Sequence, residues 1–157
     1  IMSDYAAILK TGFGMLGVRT EGEAISEIIF LPGHTRAQAP LDAAAKRACA
    51  QIKAYLDDPQ QQFDLPLKPA GTPFQRRVWR AIAAIPHGRT LTYGDIAREL
   101  KTAPRAVGRA CGDNPYPVVV PCHRVVAAGS KLGGFAHSRE GLWLDIKRWL
   151  LHHEGVL

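Results

Sequence analysis

With 157 residues, 46% hydrophobic and 22% charged, the chain can hold a substantial core as one globular domain or two small lobes, which excludes a disordered or fibrous class. Its apolar runs fall well short of the roughly 20 residues that cross a bilayer, so no membrane span is expected. The net charge of +6 is uneven: residues 1–71 carry 7 Lys/Arg against 8 Asp/Glu, and residues 72–157 carry 13 against 6. A basic second half suits a polyanion such as nucleic acid, with a solvated basic face as the bland alternative.

In chain order, Tyr5 to Leu9, Gly14 to Val18 and Ala24 to Leu31 read as three short strands joined by tight turns. From Leu41 to Leu56 the positions Leu41, Ala45, Ala48, Cys49, Ile52, Tyr55 and Leu56 recur at helical spacing, which makes Cys49 a core residue. Asp57 to Pro73, rich in Pro, Gly and Gln, has the composition of a loop or linker, so the lobe boundary is expected near residue 70. Thr72 caps and Pro73 opens the next helix, with Phe74, Val78, Ile82 and Ile85 on one face and Arg76, Arg77 and Arg80 on others. Thr92-Tyr93-Gly94-Asp95 resembles a capping box for a helix ending at Leu100, and Thr102 with Pro104 starts a second from Arg105 to Cys111. The pair fits a helix-turn-helix whose second helix carries Arg105 and Arg109 among small residues, and it also fits an ordinary packing unit. A last helix is expected from Leu142 to His153.

Pro121-Cys122-His123-Arg124 follows the apolar run Val118-Val119-Val120 and Asn114-Pro115. A thiolate is a strong nucleophile and an adjacent imidazole can serve as its base, so Cys122 is the candidate nucleophile; a buried structural cysteine is the competing reading. On an extended strand the two side chains would point apart, so the pairing needs a turn or a bridging water. The odd set Cys49, Cys111 and Cys122 argues against a disulfide framework and for a reducing cytoplasm. Without C-x-x-C or H-E-x-x-H, no zinc site is expected. Ile1 ahead of Met2 reads as an added residue, and no secretory signal is recognised.

Taken together, Thr92-Tyr93, Arg105-Ala106-Val107-Gly108, Asn114-Pro115, Pro121-Cys122-His123-Arg124-Val125 and Trp149-Leu150-Leu151-His152-His153-Glu154-Gly155 resemble the O6-alkylguanine-DNA alkyltransferases. The similarity is dense from Thr72 onward and only architectural before it. It implies an α/β amino-terminal lobe (residues 1–70), a small sheet with a helix, ribonuclease H-like. The second lobe (residues 71–157) would be mainly α, with a helix-turn-helix in a winged-helix-like arrangement. The implied activity is single-use transfer of an alkyl group from O6-alkylguanine in double-stranded DNA to Cys122, with O4-alkylthymine as a further substrate class. No cofactor, metal or membrane is implied, and the protein would act as a monomer.

Residue by residue, the resemblance makes Cys122 the acceptor, His123 its water-linked base, Glu154 the acid that orients His123, and Asn114 the brace of the reactive turn. Arg105 would enter the base stack, Tyr93 would crowd the flanking phosphate and donate to the flipped base, and the Val125 carbonyl would read the exocyclic amine. Phe135 would wall the pocket. Many relatives carry a Gly-Tyr-x-Gly-Gly-like loop where this chain has Gly133-Gly134-Phe135-Ala136-His137-Ser138-Arg139, which bears on the preferred alkyl size. Cys111, with no neighbouring histidine, is expected to stay protonated and unreactive. The rivals are a non-reactive alkyltransferase-like lesion binder, which would lack the acceptor cysteine, a DNA-binding regulator using only the helix pair, and a cysteine hydrolase.

Overall fold

The computed structural model describes residues 4–129 and 142–157, and its contacts divide the chain into two compact units at Pro69/Ala70. In the first unit, strands β1 (Ala7–Thr11), β2 (Gly14–Glu21) and β3 (Ala24–Leu31) form an antiparallel meander in that order. Gly22, at φ 61°, supplies the left-handed residue that the β2–β3 turn needs. The pairing slips between Arg19 and Thr20, where Arg19 faces Glu27 but Thr20 faces Ile25. The extra residue, Ser26, resets the alternation, so Ile25 and Ile28, three apart, are both buried.

Helix α1 (Ala43–Asp57) begins at Asp42, whose carboxylate accepts from Ala45 N at 2.8 Å and from Thr20 Oγ1 at 2.6 Å. It buries Ala45, Ala48, Cys49, Ile52 and Tyr55, and Cys49 lies on that stripe. Leu41 departs from expectation: it precedes the cap, donates its N–H to Ala6 O at 2.8 Å and is 67% exposed. The cap sets the helix start, so the apolar spacing from Leu41 was coincidental. Nor is the segment after α1 all loop. Ile25 N donates to Pro66 O and Lys68 N to Ile25 O, both at 2.8 Å, so this stretch covers the β3 edge while Gln38 pairs with Ile8 on the β1 edge.

In the second unit, α2 (Pro73–Ala83) starts with a reciprocal capping box between Thr72 and Gln75 and buries Val78 and Ile82. A Cβ on Gly71 would lie 2.6 Å from the Trp79 ring, and the Trp79 indole in turn donates to Ala110 O at 2.7 Å. That bond ties α2 to α4. Strand β4 (Leu91–Thr92) pairs in parallel with β5 (Val125–Val126) and leads directly into α3 (Tyr93–Leu100), capped by Thr92 and Asp95 as the sequence predicts. Lys101 closes α3 in the left-handed region, with Thr102 N donating back to Ala97 O at 2.9 Å. Thr102 therefore ends α3 rather than capping α4 (Pro104–Gly112), whose N-cap is Ala103 without a side-chain bond. Helix α5 (Leu142–His153) completes the unit.

Candidate active site around Cys122

Asn114, just past α4, organises the approach to Cys122. Its Oδ1 accepts from Tyr116 N at 2.9 Å, and its Nδ2 donates to Val120 O at 2.9 Å and to Cys122 Sγ at 3.2 Å. One amide therefore staples the loop and points a donor at the sulfur. The loop needs such a brace, because Val118 is buried at φ 74°, a conformation costly for a β-branched residue. The Val118–Val120 run is thus a tight turn, and Cys122–Arg124 forms a single 3₁₀ turn. This turn replaces the strand that would have sent Cys122 and His123 to opposite faces.

Cys122 is 3% exposed. Hydrogen-bonding contact with the Cys111 thiol and then burial push its pKa well above the usual thiol range, against smaller opposing influences from Asn114 and Lys147. The resting group is a neutral thiol, so attack on an electrophile requires a base.

The adjacent His123 is fully buried with Nε2 2.7 Å from Glu154 Oε2. A carboxylate can only accept, so Nε2 carries the proton and Nδ1 is left as an acceptor. Nδ1 is itself buried and has no hydrogen-bond partner among the described residues. Burial lowers the His123 pKa more than Glu154 raises it, so the ring is neutral and ready to take a proton. Glu154 is held by Arg124, through Nε at 2.8 Å and Nη2 at 3.1 Å, while Arg124 Nη1 donates to Ile85 O at 2.7 Å. The buried carboxylate thus sits between two donors, one of them a formal cation.

Of the remaining expected residues, Tyr93 and Val125 both meet Lys147 of α5. Tyr93 opens α3 with its ring 5.8 Å from Lys147 Nζ, and a Cβ on Gly108 would be 4.0 Å from Tyr93 Cε1, so the ring lies over α4. Arg105 is exposed on the first turn of α4. Val125 is buried, and its carbonyl accepts from Lys147 Nζ at 2.7 Å; a carbonyl oxygen has two lone pairs, so this bond does not by itself exclude a second donor. Phe135 lies outside the described residues.

Two residues escape the sequence reading. Lys147 is fully buried in α5, its pKa is pulled down to about 8 by burial, and its charge faces the thiols of both Cys111 and Cys122. Its signal is present in the helix period: Lys147, Leu150, Leu151 and Glu154 fall at i, i+3, i+4 and i+7, one buried stripe. Cys111 is the second. The half-buried thiol on the last turn of α4 raises the Cys122 pKa, an influence that ten intervening positions of sequence conceal.

Residues 73–156 match the family model described as 6-O-methylguanine DNA methyltransferase, DNA binding domain. The chain is 37% identical over 158 residues to a methylated-DNA--protein-cysteine methyltransferase of Methanosarcina acetivorans, covering 96% of this chain and 98% of that one. Among solved structures, the Mycobacterium tuberculosis O6-methylguanine methyltransferase superposes with a TM-score of 0.80 at 35% identity, covering 94% of this chain and 90% of that one. The same mycobacterial protein in complex with DNA gives a TM-score of 0.79 at 36% identity, with the same coverage.

Proposed function

The chain belongs to the O6-methylguanine-DNA methyltransferase family, and from that premise we infer that it repairs DNA by direct reversal, moving an alkyl group from O6 of guanine to its own Cys122. The observation that carries the reading is the His123–Glu154 pair, whose buried, proton-accepting Nδ1 stands in the residue next to a thiol aimed by Asn114.

The chemistry runs as follows. His123 Nδ1 takes the thiol proton through one water, and Glu154 stabilises the imidazolium that forms. Cys122 Sγ attacks the alkyl carbon, the carbon–O6 bond breaks, and guanine leaves with the bonding electrons. Tyr93 donates a hydrogen bond to the base as it leaves. The product is a thioether with no carbonyl for water to attack, so each chain acts once. The alkyl group comes from the substrate and the acceptor is the protein, so no cofactor enters.

A guanine stacked in a duplex must first be extruded, at a cost of roughly a few kcal/mol. Arg105, exposed on the first turn of α4, is suited to occupy the vacated stack, and the helix pair α3–α4 acts as a DNA-reading helix-turn-helix of winged-helix type. The Val125 carbonyl reads the exocyclic amine. The amino-terminal unit is a ribonuclease H-like α/β support. The excess of 13 Lys/Arg over 6 Asp/Glu from residue 72 onward supports binding to duplex DNA by counterion release. The three free cysteines suit a reducing, cytoplasmic setting, and the protein acts as a monomer.

A non-reactive lesion binder is disfavoured by the acceptor thiol itself. The deciding experiment is titration with a duplex carrying O6-[³H-methyl]guanine: label should appear on Cys122 up to one equivalent per chain and then stop. Continued turnover, or label mainly on another residue, would overturn the assignment.

A further inference from the structure

Helix α2 grips the end of α4 at two points. Gln75 and Trp79 lie four residues apart and so share one face of α2. The Trp79 indole donates to Ala110 O at 2.7 Å, and Gln75 donates through Nε2 to Asp113 Oδ2 at 3.0 Å. Each gripping side chain is itself anchored. The Trp79 ring abuts Gly71, where a Cβ would lie 2.6 Å from it, and Gln75 Oε1 accepts from Thr72 N at 2.9 Å. Between the two grips, Cys111 O accepts from Asn114 N at 3.2 Å, so the end of α4 leads directly into the residue that braces the acceptor. Asn114 then donates to Val120 O at 2.9 Å and to Cys122 Sγ at 3.2 Å.

We propose that Trp79 and Gln75 are positioning residues for alkyl transfer: from α2 they hold the end of α4 so that Asn114 keeps its donor on the Cys122 sulfur. Transfer to Cys122 is the function proposed above, and this role rests on it. Both residues act through Asn114. A hydrogen bond weakens steeply as it is misaligned, and the Cys111–Asn114 backbone bond would carry any shift of the α4 end to the Asn114 amide. The Asn114 bond favours the charged sulfur, so loosening it disfavours the thiolate that attacks. The acceptor turn is thus braced from two sides, with Glu154 orienting His123 and α2 orienting Asn114. The residue type at position 75 fits this role. A capping box needs only an acceptor oxygen, which glutamate supplies as well as glutamine and with a charge better suited to a helix N-terminus. The NH₂ of Gln75 does what a carboxylate could not, donating to Asp113.

Gln75→Glu tests the grip without weakening α2, because the capping box survives while Asp113 meets a like charge in place of a donor. The melting temperature of the full-length chain should not fall. Transfer from free O6-benzylguanine and from an O6-methylguanine duplex should nevertheless slow by the same factor, about three- to tenfold, the worth of roughly one net hydrogen bond. Adding Asp113→Asn gives the carboxylate an amide donor and should return most of the rate. Trp79→Phe keeps a ring against Gly71 but removes the indole donor, and should slow both substrates alike. Rates within twofold of wild type in Gln75→Glu and Trp79→Phe, a slow Gln75→Glu that Asp113→Asn does not restore, or a loss confined to the duplex would overturn the proposal. Alkylation of Cys122 by iodoacetamide, read on fragment ions of the tryptic peptide Ala110 to Arg124, needs neither guanine nor DNA and should rank the variants in the same order. A wild-type chain that accepts neither benzyl nor methyl would sink the repair function, whereas the iodoacetamide ranking would still decide the grip.

Discussion

Glu154→Gln separates the charge of the buried acid from its shape. In the native site the carboxylate accepts from His123 Nε2 at 2.7 Å and from Arg124 at 2.8 and 3.1 Å, with its side chain fully buried and that of Arg124 only 13% exposed. Glutamine keeps the volume but offers one acceptor oxygen for donors on two residues, and its NH₂ must face a donor. Either His123 loses the partner that fixes its Nε2–H tautomer, or the Arg124 guanidinium loses its counter-charge. Removing one member of a buried ion pair costs about 3–5 kcal/mol. The Arg124–Ile85 bond and the remaining exposure of Arg124 place the expected loss of stability toward the lower end of that range.

The kinetic effect is separable, because general-base catalysis contributes about 10²–10⁴-fold. The single-turnover rate on an O6-methylguanine duplex should drop by that factor, equivalent to roughly 3–5 kcal/mol in the barrier. A urea melt establishes the folded fraction, and the rate is measured well below the midpoint. Folded Glu154→Gln transferring within threefold of wild type would refute the relay, since His123 Nδ1 would then be a competent acceptor without its carboxylate.

Cys122→Ser should abolish transfer while leaving affinity for alkylated duplex nearly intact, because the hydroxyl is almost isosteric and far less acidic; repair near the wild-type rate would contradict the acceptor assignment. Arg105→Ala should slow repair of duplex DNA much more than reaction with free O6-benzylguanine, which needs no flipping, and equal losses would remove its role in the stack. Burial holds the His123 pKa below the ordinary value of about 6.5, so the transfer rate should stay level as pH falls past that point and decline only below it. Stability follows the same sense: the unfolded chain takes up the His123 proton first, so this contribution is complete above about pH 6.5 and is lost as pH falls through the folded value. An acid limb of the rate centred above about 6.5 would count against His123 as the base. Cys49→Ala should leave transfer unchanged in folded protein, and loss of activity there would show that Cys49 does more than pack.

What was legible in the chain, and what was not, divides by the range of the interactions. Capping boxes at Thr72 and Thr92, the α1 stripe and the basic second half are local or additive, and composition and spacing report them directly. The Leu41 misreading and the Ser26 slip show that even local periodicity yields to a cap or a bulge that fixes register. Residues acting across the fold are another matter. Glu154 reads as a solvated acid near a helix end until the fold brings it to His123, thirty-one positions away, and only the family resemblance singled it out. Lys147 had no such advocate. A lysine amid apolar residues is by default a surface group, yet its helical phase with Leu150, Leu151 and Glu154 puts it on the buried face, where its ammonium must find a carbonyl and finds Val125 O. Cys111 is the extreme case, because no periodicity links the last turn of α4 to a 3₁₀ turn beyond a loop. Cys122 takes its place because Asn114 reaches three ways, to Tyr116, Val120 and Cys122, and Val118 accepts a left-handed backbone to let it. Strain concentrated at that one loop residue is what turns an Asn-Pro turn signal into a positioned nucleophile.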